Sequence, residues 1–143
     1  IMFTKSFKVY EIAYFWAIGG VVSILFPDIL YGPDRFRYYQ YVIGHVSFFF
    51  MIMYMLFVHN YIPTFSSFKK SFLLLLGIVL IFIIPFNNIF DTNFMYLLVP
   101  GDTPFEIFWG KGYFLYLVGS IILSSIVIYV WYLPIVIYSK YKK

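Results

Sequence analysis

SFLLLLGIVLIFIIPFNNIF, Ser71 to Phe90, contains no Asp, Glu, Lys or Arg. A helix crossing the hydrocarbon of a bilayer needs about 20 predominantly apolar residues at about 1.5 Å rise each. This stretch meets that length with nothing charged inside it. Its apolar residues run continuously and do not alternate at every second position, so it does not read as a strand of a membrane barrel. FFFMIMYMLF, Phe48 to Phe57, has the same character.

Three more blocks free of charge flank this one. They run between Glu11 and Asp28, from Tyr38 to Phe68 and from Gly112 to Ser139. The expected spans are residues 9–30, 39–61, 71–90 and 113–138, in a single transmembrane domain covering 1–143. The first reaches spanning length only when Glu11 and Pro27-Asp28 are counted within Val9 to Leu30. Composition agrees: of 143 residues, 63% are hydrophobic and 11% charged, with mean hydropathy +0.89. Soluble domains are roughly half apolar and about a quarter charged, so a soluble fold could not cover this much apolar surface. The fold class is all-α, a polytopic membrane helix bundle. The 19 Phe and 15 Tyr suit lipid contact and the membrane interface. The excess of Phe, Tyr, Ile, Lys and Asn equally fits an AT-rich genome.

Charge gives the bundle an orientation. Lys5, Lys8, Lys69, Lys70, Lys140, Lys142 and Lys143 fall on one side of the spans. Arg35, Arg37 and Lys111 fall on the other, with Asp28, Asp34, Asp91, Asp102 and Glu106. Basic residues accumulate on the cytoplasmic side, so both ends of the chain are expected there, in a multi-pass protein of the cell membrane. The chain begins with Ile1 and has no signal-peptide pattern, which points to an N-terminal part outside this sequence.

Several chemistries are excluded or unsupported. There is no Cys, hence no disulfide, thiolate metal site or cysteine nucleophile within these residues. The basic residues are few and interrupted by apolar segments, so no nucleic-acid partner is expected. No phosphate-binding glycine loop, HExxH or carboxylate cluster is present, and no cofactor or metal is expected.

Among the remaining groups, His45 comes first. It lies seven positions beyond Tyr38, about 10 Å into the second span. Ionisable groups within spans tend to face the bundle interior or a wet cavity, and a neutral imidazole is the least costly of them. Both an acid–base role and a plain interhelical hydrogen bond fit it. His59 at the far end of the span reads as an interfacial anchor. Arg35 and Arg37 before the second span, and Asn87, Asp91 and Asn93 after the third, form a candidate polar layer able to hold a lipid headgroup. An ordinary solvated loop fits them as well. Glu11 is expected to pair with Lys8 at the interface. Pro85 removes a backbone donor and predicts a kink before Asn87. Gly19-Gly20 permits close helix approach. The segment from Asp91 to Gly112, with Pro100-Gly101-Asp102, Pro104 and Trp109-Gly110-Lys111-Gly112, is either a surface loop or one that dips back.

YEIAYFWAIGG (Tyr10 to Gly20), LFPDI (Leu25 to Ile29), RFRYYQYVIGHVSFFF (Arg35 to Phe50) and DTNFMYLLVP (Asp91 to Pro100) occur in an order and spacing that resembles the YwaF-like integral membrane proteins. These are bacterial relatives of the vertebrate transmembrane protein 164. The resemblance covers nearly the whole chain. It implies further helices upstream, the last ending in a PLHLC-like motif, and makes those helices and membrane lipids the expected partners. It also implies a phospholipid acyltransferase-type activity using a Cys/His pair, with His45 at the position of the family's histidine and possible general base. The cysteine would then lie outside this chain, which alone would be inactive. A non-catalytic transporter-like or structural membrane protein is the alternative, and a fragment without independent role is a third reading.

Overall fold

The computed structural model describes residues 6–27 and 31–141, and among these there is helix and no strand. Four helices are long and apolar enough to cross a membrane: α1 (Phe7–Leu25), α2 (Phe36–Phe57), α3 (Phe65–Phe90) and α4 (Tyr113–Tyr141). The residues divide into two compact units, one made of 1–71 with 128–143 and the other of 72–127.

The helix ends follow from local chemistry. Pro27 disfavours helical backbone at the residue before it, and α1 stops there, with Phe26 at φ −125°. Residues 28–30, the last of the expected first span, lie outside the described residues. After α2, Asn60 takes the left-handed conformation, φ 55°, that asparagine tolerates better than most side chains. The start of α3 is set by a reciprocal cap. The Ser67 N–H donates to Thr64 Oγ1 at 3.2 Å, and the Thr64 N–H donates to Ser67 Oγ at 3.1 Å. Helix start-up donors have no partner inside the helix, and this exchange satisfies one of them. Lys69 and Lys70, expected in a connecting loop, therefore sit within the opening turns of α3.

α3 is not uniform. Residues Val79–Ile83 form a π turn, and Ile84–Phe90 resumes the α form with Pro85 in its first turn. Proline lacks the N–H that would close the preceding turn, and a widened turn is one way to absorb the misfit. The irregularity expected before Asn87 thus takes this form. α4 carries Pro134 within its length.

In the first unit α1 is the common partner. Tyr10, Ala13, Tyr14 and Ala17 recur at helical spacing and are buried, as is Phe15 beside them. Tyr10 donates to the Ile52 carbonyl of α2 at 3.4 Å. Trp16 Nε1 donates to the Ser71 carbonyl of α3 at 3.3 Å, and Ser71 Oγ returns a bond to the Ile12 carbonyl at 3.1 Å. Toward α4 the exchange is also reciprocal: Tyr14 OH donates to the Trp131 carbonyl at 3.3 Å and Trp131 Nε1 donates to the Tyr14 carbonyl at 3.1 Å. Their rings stack with centroids 5.7 Å apart.

The buried carboxylate of Glu11 completes this set, with a partner other than the expected one. Ser67 Oγ donates to Oε2 at 2.6 Å and Lys70 Nζ donates to Oε1 at 3.1 Å. Lys8 contributes only through-space attraction. The carboxylate points across to α3, because only there do a hydroxyl and an ammonium both meet it.

Replacing Glu11 by Ala leaves the buried Ser67 hydroxyl without its acceptor and Lys70 without its counter-charge. The loss is expected to be roughly 1–3 kcal/mol. It should appear as a lower unfolding midpoint of the detergent-solubilised protein, with Glu11→Gln losing less because its amide oxygen still accepts from Ser67.

Candidate functional site

A groove of about 740 Å³ lies along α1 and α2 in the first unit. Its α2 wall carries Arg37, Gln40, Tyr41, Gly44, His45 and Phe48, which share one helical face by their spacing of three and four. Trp16, Gly19 and Gly20 line it from α1, and Tyr31 from the connection. A smaller cavity of about 190 Å³ adjoins, lined by Val21, Ile24, Leu25, Val46 and Phe49 together with Gly20 and His45. His45 therefore borders both a largely apolar groove, which includes the polar side chains of Arg37, Gln40 and Tyr31, and a wholly apolar cavity.

Two features put His45 there. α1 approaches closely at Gly20, where an added methyl would lie 3.6 Å from the His45 carbonyl oxygen and 3.7 Å from Cδ2. The imidazole then faces α1 and the groove, which periodicity on α2 could not establish. Second, Nδ1 lies 2.8 Å from the Tyr41 carbonyl, one helical turn back. A carbonyl only accepts, so in the neutral ring Nδ1 carries the hydrogen and Nε2 keeps its lone pair. The Tyr41 ring packs on the imidazole with centroids 4.3 Å apart, and its hydroxyl donates to the Ser23 carbonyl of α1 at 2.6 Å. Tyr41 thus touches His45 with ring and carbonyl while tying α2 to α1.

The two arginines differ. Arg35 pairs with Asp34 at 3.2 Å, both exposed, and does not line the groove. Arg37 lines it, donating from Nη1 to the Tyr31 hydroxyl at 3.2 Å with its guanidinium carbon 5.4 Å from the Tyr31 ring centre. A guanidinium has five N–H donors, so this contact leaves capacity for an anionic oxygen. His59 lies between the rings of Tyr54 and Tyr61, at 5.4 and 6.0 Å, outside the groove.

Asn87, Asp91 and Asn93 belong to the second unit, where they build the connection between α3 and α4. Asn87 is fully buried. Its Oδ1 accepts from Thr92 Oγ1 and from the Phe94 N–H, each at 2.9 Å, and its Nδ2 donates to the Phe94 carbonyl at 3.0 Å. Asn93 does the same for the next turn: Oδ1 accepts from the Leu98 and Val99 N–H groups at 2.9 and 3.2 Å, and Nδ2 donates to the Val99 carbonyl at 2.8 Å. Asp91 ends α3 in the left-handed conformation, φ 50°, with its side chain exposed. Farther along, Tyr116 OH donates to the Tyr96 carbonyl, and the Phe108 ring lies against Gly119, where an added Cβ would come within 2.5 Å of it. The connection therefore folds back onto the helices that it joins.

Sequence reasoning singled out His45 and Arg37 but missed Tyr41, Gln40 and Trp16. Tyr41 had a readable signal, since a residue four before a helical histidine shares its face. Trp16 had none, because its place depends on how α1 packs.

The fold and the groove define an α-helical multi-pass membrane protein. Residues 1–132 match the TMEM164 family, and the chain belongs to that family. No curated protein and no solved structure matches it.

Substitution of Asn87 by Ala removes three side-chain bonds from a buried position. It is expected to destabilise the connection by roughly 1–3 kcal/mol. Faster hydrogen exchange at the Phe94 amide, with amides of α1 unchanged, is the measurement that checks it.

Proposed function

We propose that this chain is the histidine-bearing part of a membrane phospholipid acyltransferase-type enzyme, of the kind found in YwaF-like proteins, with His45 as general base. The observation that carries the reading is the position of His45 where a largely apolar groove, with Arg37, Gln40 and Tyr31 in its wall, adjoins an apolar cavity. A glycerophospholipid has the same division, with its ester at the junction of an anionic headgroup and aliphatic chains. In this reading the headgroup phosphate takes the remaining N–H donors of Arg37, and an acyl chain takes the cavity bounded by Val21, Ile24 and Val46.

Nε2 of His45 accepts the proton of a thiol, and the thiolate attacks the ester carbonyl. A C–S bond forms as the C–O bond breaks, and the imidazolium returns its proton to the departing lipid hydroxyl. A second lipid hydroxyl reverses the sequence and takes the acyl group. The Nδ1–H bond to the Tyr41 carbonyl holds the ring in the tautomer that this requires. The 143 residues contain no cysteine, so the proposal assigns the nucleophile to helices upstream of this sequence. Arg35, Asp91 and Asn93, all exposed, are assigned to the polar surface of the protein at the headgroup level, whereas the buried Asn87 is left to its structural bonds. The lysines at the opposite ends of the spans support a cytoplasmic location for both ends of the chain.

Two measurements test this. In the protein with its upstream helices, His45→Ala should reduce acyl exchange between phospholipids by about 10²-fold or more, the usual contribution of a general base. A lipid profile identical to that of the unsubstituted protein would sink the catalytic role. For orientation, cysteine reporters at Asp102 and Ser139 are read against the protein carrying neither, since these 143 residues add no thiol of their own. An impermeant maleimide should reach position 102 in intact cells and position 139 only after permeabilisation.

A further inference from the structure

We propose that the connection between α3 and α4 is a preformed membrane-anchoring surface, which seats Phe94, Met95 and Trp109 in the headgroup–acyl boundary of the bilayer. The proposal is independent of acyl transfer and concerns the second unit alone.

Four observations support it. First, this connection extends beyond the spanning helices, yet its apolar side chains stay outward: Phe94 is 58% exposed, Met95 46%, Ile107 63% and Trp109 47%. A loop bathed in water gains nothing from such a surface. Second, the outward conformation is built. Met95 and Tyr96 both have left-handed backbone, φ 60° and 54°, which costs roughly 1–2 kcal/mol for a residue with a Cβ. Asn87 on one side and Asn93 on the other hold the flanking backbone through the six side-chain bonds described above. Such local strain persists only where the surroundings over-determine it, and it marks a conformation that serves a purpose. Third, the apolar surface continues that of the span. Phe86 and Phe90 lie exposed on the last turns of α3, with ring centroids 4.5 Å apart, and the Phe94 ring joins them 5.8 Å from Phe86. The lipid-facing side of α3 thereby runs into the connection without a polar break. Fourth, Trp109 stands edge-on to Tyr116 at 5.4 Å, next to exposed Lys111 and just before α4. Aromatic rings paired with a basic residue at the end of a span are characteristic of the membrane–water boundary.

The charged residues complete the amphipathic division. Asp91, Asp102, Glu106 and Lys111 are exposed and supply the water-facing part of the same connection. Lipid is the occupant that this surface fits, because it accepts rings at the interface and leaves those charges hydrated.

The test uses the reconstituted protein in phosphatidylcholine–phosphatidylglycerol vesicles, with a single cysteine at Met95, Trp109 or Asp102 carrying an environment-sensitive fluorophore. The label at 95 should emit blue-shifted, be quenched by lipids brominated near the headgroup end of their chains, and be protected from aqueous iodide. The label at 109 should behave alike, and that at 102 should show the reverse. Iodide quenching at 95 and 109 without quenching by brominated lipid would overturn the proposal in favour of a solvated loop. Protection from both quenchers would overturn it in favour of a protein partner. Using two apolar reporter positions keeps the result readable if one substitution disturbs the turn at Met95.

Discussion

Helices in hydrocarbon gain little from burying apolar side chains against one another, because lipid chains offer the same environment. Polar exchange and close packing must hold them together. In the first unit that exchange centres on α1, and the Glu11 carboxylate between Ser67 and Lys70 is its strongest element. A carboxylate with no partner could hardly remain at this buried position. The register between α1 and α3 is therefore set where both of its oxygens are matched. The bonds of Ser71 with Trp16 and Ile12, and the reciprocal bonds of Tyr14 with Trp131, then follow at the next turns.

The groove is a consequence of that arrangement. With α1 committed to α3 and α4 through Glu11, Tyr14, Phe15 and Trp16, its remaining side carries Gly19 and Gly20 toward α2. Two residues without side chains leave room beside His45, and Tyr41 spans the gap to Ser23. The imidazole is held in one tautomer by a backbone carbonyl, so the lone pair of Nε2 in the neutral ring has a defined direction.

The second unit solves a different problem. Its long connection contains several backbone groups outside any helix, and those shielded from water need partners. Asn87 and Asn93 satisfy them with amides that donate and accept at once, a capacity that an aspartate carboxylate would lack. In sequence, an asparagine near a helix end reads the same whether it faces solvent or holds a turn, so this role of Asn87 and Asn93 is not legible there. The π turn before Pro85 belongs to the same economy of backbone donors.

The sequence by itself determined the class of protein and the four spans, since the charge-free blocks and their lengths depend only on local composition. It also determined the position of His45 along the second helix, because rise per residue is constant, and the family pattern in its linear motifs. Tertiary structure alone decided that Glu11 bonds to Ser67 and Lys70 and not to Lys8, that Lys70 lies in a helix, and that His45 faces α1. It alone separated Arg37 in the groove from Arg35 paired with Asp34. Each of these depends on which helix faces which and in what register. That choice is made by pairing polar groups distant in sequence, and no local pattern carries it.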